Sequence, residues 1–321
     1  MTKRKFTDWA LLLACNLIWA SQFVLVKLVQ DQVGPVFATA APMLVATLVL
    51  MPMALPGLIK RWVTGGRPQP PSLADVLGFV ALGVLGQVAA QLFVTWGVRI
   101  SLASNAALLM FTLPVVTALM AFVVLRERMT TTRWVGFALA MLGTLACSAR
   151  DFRGFDLGGS YLWGNGLIFL AVVGSAFYNV YSKKLLQTYS ALQVLFLSYV
   201  AVCVVLVPLT LWLEPQALSQ LRLFSGQTWL GLALLALLQY ALSMVIFLSV
   251  LSRLDATQAA LSNYMIPAFG LVLAWLVLHE KLTFAGVAGG ALVLASTWMV
   301  TVVENRQAAA QAAASASSVN A

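Results

Sequence analysis

The sequence predicts an all-α polytopic membrane protein of ten transmembrane helices arranged as two inverted five-helix repeats. Three observations carry that prediction. Of 321 residues, 61% are hydrophobic and 9% charged, against roughly 25% charged in a soluble domain. Ten apolar segments approach or exceed the roughly 20 helical residues needed to cross about 30 Å of hydrocarbon. Finally, the stretch 103–144 occurs twice. The shift of 153 positions that carries Pro114 onto Pro267 also carries Glu127 onto Glu280, Gly136 onto Gly289 and Thr144 onto Thr297, with no insertion. Leu, Ala and Val recur in any greasy helix, but Pro, Glu and Gly matching at one offset argue for duplication over chance.

The expected spans are Trp9–Val29, Val36–Leu58, Leu73–Val98, Ser104–Leu125, Trp134–Ser148, Leu162–Leu185, Leu192–Leu213, Trp229–Leu251, Thr257–Leu278 and Phe284–Val303. The fifth is short and has room to begin at Thr131. Gly and Pro punctuate the connections, as in Gly34-Pro35 and 65–71. The loop 150–160 divides a first repeat (9–148) from a second (162–303), and the Ala/Ser/Gln-rich stretch 304–321 is expected to be a mobile cytoplasmic tail.

Five spans per half force the copies into opposite orientation. With the N-terminus inside, thirteen cations fall on cytoplasmic segments (Lys3, Arg4, Lys5, Lys60, Arg61, Arg67, Arg126, Arg128, Arg133, Lys183, Lys184, Arg253, Arg306). The other side holds six: Lys27, Arg99, Arg150, Arg153, Arg222 and Lys281. This bias predicts both termini in the cytoplasm, in a multi-pass protein of the bacterial inner membrane. The same scatter of cations explains the net charge of +9 without a nucleic-acid-binding face. Cys15, Cys147 and Cys203 lie in apolar runs, and their odd number argues against a disulfide framework. No cleavable leader is expected, because Lys3, Arg4 and Lys5 precede a long apolar run without a small-residue cleavage site.

The first-span stretch Asn16-Leu17-Ile18-Trp19-Ala20-Ser21-Gln22-Phe23 running on to Lys27, the two Pro…Leu-x-Glu-[Arg/Lys] repeats, and the Gly nine residues after each Glu resemble the EamA-type transporters of the drug/metabolite transporter superfamily. Ala20 stands where that family often has Gly. The resemblance implies ten helices in two inverted repeats, a central cavity, and alternating access that moves small organic solutes, often outward.

Polar groups in hydrocarbon are costly, so those present should face protein or a water-filled cavity. Gln87, Gln91 and Thr95 recur at four-residue steps and share a helix face. Their repeat equivalents include Tyr240, with Gln239 beside it. Asn16, Trp19 and Gln22 mark the first span, Asn179 the sixth, Asn263 and Tyr264 the ninth. The candidate solute-binding set is Trp19, Gln87, Gln91, Asn179, Gln239, Tyr240, Asn263 and Tyr264. Amides and aromatic rings can hold a zwitterionic or planar solute without fixed charge, and interhelical hydrogen bonding is the alternative for each. The resemblance favours Gln87, Gln91 and Asn179, because the spans carrying them line the cavity in the family.

Pro114 and Pro267 are candidate hinges, with passive kinks as the alternative. Glu127 and Glu280 sit at span ends beside cations, which suits corner residues that neutralise them and cap a helix; proton coupling is the other reading. Small-residue pairs (Gly136 with Ala140, Gly286 with Gly290) permit close helix contact between halves or between subunits, compatible with monomer or homodimer. His279 is the only histidine, which leaves little material for a metal cluster or a histidine-based catalytic set. No cofactor, no metal and no enzyme activity are therefore expected. The expected partners are a small-molecule solute and the lipid bilayer, with no nucleic acid. The reading is a secondary transporter of small organic metabolites, amino acids or related solutes, acting as exporter or facilitator. A proton-coupled antiporter and a non-transporting receptor or subunit are the alternatives.

Overall fold

The computed structural model describes residues 3–29, 31–64, 70–100, 109–110, 112–127, 129–147, 162–266, 269 and isolated positions between 288 and 303. Described in order, α1 is Lys3–Val29 and α2 is Pro35–Ile59, prolonged by Lys60–Thr64. Helix α3 is a rod of Leu73–Ala81, a wider-turned stretch Leu82–Val88, and Ala89–Ile100. Then come α4 (Leu113–Leu125), α5 (Thr131–Cys147), α6 (Leu162–Leu185) and α7 (Ala191–Leu213). Helix α8 repeats the design of α3: Gly226–Leu234, a wide-turned Leu235–Leu242, and Ser243–Leu251. Helix α9 is Ala256–Ser262.

Among the described residues, five helices are long and apolar enough to cross a membrane: Pro35–Val63, Leu73–Gly97, Leu162–Leu185, Ala191–Leu213 and Gly226–Leu251. The expected fourth, ninth and tenth spans lie partly outside the described residues, as do Glu280 and Pro267.

Local chemistry sets the helix starts. Ser72 Oγ accepts from Asp75 N at 3.1 Å while the Asp75 carboxylate accepts from Ser72 N at 3.0 Å, a reciprocal cap that starts α3. Its repeat equivalent Ser225 accepts from Thr228 N at 3.2 Å and starts α8. Helix α2 begins after Gly34, which has no side chain to cap with. The Glu214 carboxylate from the end of α7 caps it instead, accepting from Val36 N and Phe37 N at 2.9 Å each. Gly34 makes this possible, since a Cβ there would stand 2.3 Å from Glu214 Cδ.

One irregularity recurs at the repeat offset and a second close to it. The wide turns begin at Leu82 and at Leu235, 153 positions apart. Helical continuity also breaks twice, before α4 and at the end of α9. Thr112 N donates to Leu109 O before α4 begins, and Asn263 N donates to Ala260 O as α9 ends. Pro114 is therefore the second residue of a helix that starts at Leu113, where its missing N–H costs nothing. The expectation of a proline inside a continuous helix is corrected accordingly: the break precedes the proline.

The helices interlock across the repeats. α3 packs on α6, and its counterpart α8 packs on α1; α2 pairs with α7 and α4 with α9, each with its own repeat mate. Val123 and Val204 are about 70% exposed on outer faces, as lipid-facing side chains should be. Trp163, Trp212 and Trp229 are exposed near the ends of α6, α7 and α8, the position of an interfacial aromatic belt. Ser296 Oγ donates to Gly136 O at 2.7 Å, so the small-residue face of α5 meets the second repeat within one chain.

Candidate solute site between the repeats

Asn16, Trp19 and Gln22 are spaced three apart and share one face of α1. Each reaches the second repeat. Asn16 Nδ2 donates to Ser262 O at 2.7 Å, at the break ending α9. Trp19 Nε1 donates to Ser243 Oγ at 3.0 Å, and its ring lies 5.1 Å from that of Phe247. Gln22 Oε1 accepts from Gln239 Nε2 at 2.9 Å.

From Gln22 the chain of amides continues into α3. Gln22 Nε2 donates to Gln91 Oε1 at 3.4 Å, and Tyr240 OH lies 3.5 Å from the same oxygen, beyond an ordinary O–H···O bond. The wide turns shape this row, because i→i+5 winding shifts side chains around the helix and loosens backbone pairing. On α8 the groups so exposed are engaged: Tyr199 OH donates to Tyr240 O at 3.0 Å, and Ser243 Oγ donates to Gln239 O.

The result is a neutral polar row crossing from one repeat to the other, Gln239–Gln22–Gln91, flanked by Trp19, Tyr240 and Ser243. It contains no charged side chain. Hydrogen-bonding capacity is left unused in and beside the row: among the described residues, Gln239 Oε1, Asn16 Oδ1, Asn263 Oδ1 and Tyr264 OH are buried without a partner. An unpaired buried polar atom costs about 1–3 kcal/mol, so each of these atoms is a place where a partner would be stabilising. Among the described residues, no group of three His, Cys, Asp or Glu side chains could hold a metal ion.

Four of the predicted site residues come together here: Trp19, Gln91, Gln239 and Tyr240. Gln87 is buried one turn before Gln91 in the wide turn of α3. Asn179 is buried on α6, and among the described residues no hydrogen bond joins it to the amide row. Asn263 stands at the α9 break, while Tyr264 turns toward α5, its ring edge-on to Phe137 at 6.2 Å. Two participants fall outside the sequence-based set, Gln22 and Ser243. Their signal is spacing: Gln22 follows Trp19 by three residues, and Ser243 follows Gln239 by four.

A cavity of about 700 Å³ lies at one end of the molecule, lined by Gln32, Val36, Trp96, Ile100, Glu214 and Phe224 among others. At the opposite end, Glu127 turns away from its own helix. Its carboxylate accepts from Ala256 N at 2.8 Å and Thr257 N at 3.0 Å, capping α9 of the other repeat.

The family model for the EamA-like transporter family matches residues 8–149 and again 162–302. The chain belongs to the EamA-like transporter family, within the drug/metabolite transporter superfamily. This EamA-like protein is 27% identical to a probable terminal-alkyne amino-acid exporter of Streptantibioticus cattleyicolor, over 91% of this chain and 92% of that one. It is 24% identical to an S-adenosylmethionine uptake transporter of Rickettsia prowazekii, over 66% of this chain and 67% of that one. A solved crystal structure superposes with a TM-score of 0.77 over 94% of this chain and 98% of its own; at 16% identity the likeness is one of fold. Family membership and the apolar helices make this a multi-pass membrane transporter of small solutes.

Proposed function

We propose that this EamA-like protein is a secondary transporter that moves small organic metabolites, amino acids or related solutes, across the cytoplasmic membrane by alternating access. It acts as an exporter or facilitator, through ten helices in two inverted repeats (9–148 and 162–303) with both termini in the cytoplasm. One observation carries the reading. The uncharged amide row from Gln239 through Gln22 to Gln91 spans the two repeats and, among the described residues, keeps the buried acceptor Gln239 Oε1 unpaired, which suits a neutral or zwitterionic solute. The relatives include a probable amino-acid exporter and an S-adenosylmethionine carrier, whose solutes share an α-amino-acid group although S-adenosylmethionine adds a sulfonium cation, and they support the amino-acid-related class. A site at the interface of inverted repeats, next to broken helices, is also the general arrangement of secondary transporters.

The test is counterflow in proteoliposomes preloaded with one candidate solute at a time, amino acids first. Tracer should accumulate transiently with at least one of them, and Gln22→Leu should lower that accumulation at least about tenfold. A protein that is folded but catalyses no counterflow with any amino acid or related metabolite removes this reading.

A further inference from the structure

The two ends of the molecule are tied differently. Helices α3, α4 and α6 pack as one group, and α8, α9 and α1 as the repeat-related group. At the cavity end, the polar ties made by Gln32 and Glu214 each stay inside one packed pair. Gln32 Oε1, following α1, accepts from Ser225 N at 2.9 Å and Thr228 Oγ1 at 2.5 Å on α8. Glu214 at the end of α7 caps α7's partner α2. Between the groups lies the 700 Å³ cavity, with Trp96 and Ile100 of α3 on one side and Gln32 on the other.

At the opposite end, Glu127 and Lys183 cross from one group to the other and Arg133 of α5 joins them, and all three land on the turn 251–257 joining α8 to α9. Glu127 takes Thr257 Oγ1 at 2.7 Å in addition to the two backbone N–H groups. Arg133, its side chain 9% exposed, pairs with Asp255 at 2.7 Å. Lys183 of α6 donates to Leu254 O, and to Leu251 O at 3.4 Å. Arg253 in the same turn is braced by Asp8 of α1 at 2.5 Å. The backbone shows how Glu127 is aimed: Arg126, immediately before it, is the one non-glycine residue with positive φ (56°) among the described residues. The left-handed residue ends α4, with Glu127 N donating to Ala121 O at 3.3 Å, and turns the chain off the helix axis just before Glu127.

We propose that Glu127, Arg133 and Lys183 form a clasp on the α8–α9 turn that closes this end of the transport path. The ties must release before the amide row can face that side. The inference rests on alternating access, and it names the contacts that alternate. A clasp of several charge-assisted bonds can hold the two groups together at one end while a cavity remains between them at the Glu214 end.

The test needs no transported solute and so fails separately from the transport reading. With Cys15, Cys147 and Cys203 replaced by alanine, Gln22→Cys is labelled with an impermeant thiol reagent in right-side-out and in inverted vesicles. Glu127→Gln and Lys183→Met should raise labelling from the clasp side by about tenfold and lower it from the cavity side, the mark of a shifted two-state population. Thr257→Val, which removes one of the bonds and no charge, should move both rates in the same senses by less. Unchanged rates in the folded variants overturn the clasp. So does a rise from both sides, which would report a loosened fold.

Discussion

Gln22 both accepts from Gln239 and donates to Gln91, so its removal unpairs two neighbours at once. Hydrogen bonds between membrane helices average only about 0.6 kcal/mol each, yet buried amides left without partners cost about 1–3 kcal/mol. Gln22→Leu should therefore lower stability by about 1–3 kcal/mol in thermal unfolding and reduce counterflow per folded protein at least about tenfold, the equivalent of roughly 1.4 kcal/mol. Tyr240→Phe is the control within the same site. Its hydroxyl stands 3.5 Å from Gln91, too far for a strong bond, and the change should alter counterflow by less than about twofold. A Tyr240→Phe defect as deep as that of Gln22→Leu would show that the hydroxyl touches solute. Tyr199→Phe acts differently. It orphans the Tyr240 carbonyl and should lower stability by about 1–3 kcal/mol in thermal unfolding.

At the scale of elements, α3 and α8 hold the site because a wide turn interrupts each at the same repeat position. Close packing fixes α3 in that place. A Cβ on Gly83 would stand 2.6 Å from Ser198 O and 2.9 Å from Ala201 Cβ of α7. Backbone cannot yield as a flexible side chain does, so Gly83→Ala should destabilise the fold by about 1–3 kcal/mol, read as a lowered unfolding temperature in detergent. Gly166 has open space around it, and Gly166→Ala should hold or raise that temperature, since a helical Ala is about 0.5–1 kcal/mol more stable than Gly. The duplication, the long apolar spans and the polar face of α3 were all legible in the sequence, because composition and the 153-residue offset survive in one dimension. The wide turns were not, since Leu82–Val88 reads as ordinary apolar helix and i→i+5 winding has no residue signature. The break at Asn263 and Tyr264 was hidden for the same reason, with Pro267 drawing attention a few residues too late. Which amides meet was equally illegible. Asn16, Gln22 and Asn179 look alike as single polar residues in greasy helices, and only the packing of α1 on α8 selects Gln22.

The whole molecule shows where charge is kept. Of the acids described, Asp75 starts α3, Glu127 and Asp255 sit in the clasp, Glu214 caps α2, Asp31 lies in a turn, and Asp8 is paired with Arg253. The amide row between them is neutral. If thirteen cations to six set the orientation, the clasp faces the cytoplasm. Gly66→Cys and Gly158→Cys should then label from opposite sides of the membrane, and labelling of both from outside would refute that topology. Proton-driven carriers keep a titratable group within the bilayer, where burial brings its pKa into the working range. A row of Gln, Trp, Tyr and Ser has no such group, so a pH gradient has nothing central to act upon. Movement of a neutral or zwitterionic solute should follow the solute's own gradient, by facilitated diffusion or exchange, as suits an overflow exporter. The measurement is counterflow with and without an imposed pH gradient, and equal tracer accumulation is expected. Accumulation driven by the gradient and lost in Glu127→Gln would make the clasp carboxylate a proton carrier as well as a tie. Accumulation lost only in Glu280→Gln would put the coupling at the opposite corner of the inverted repeat.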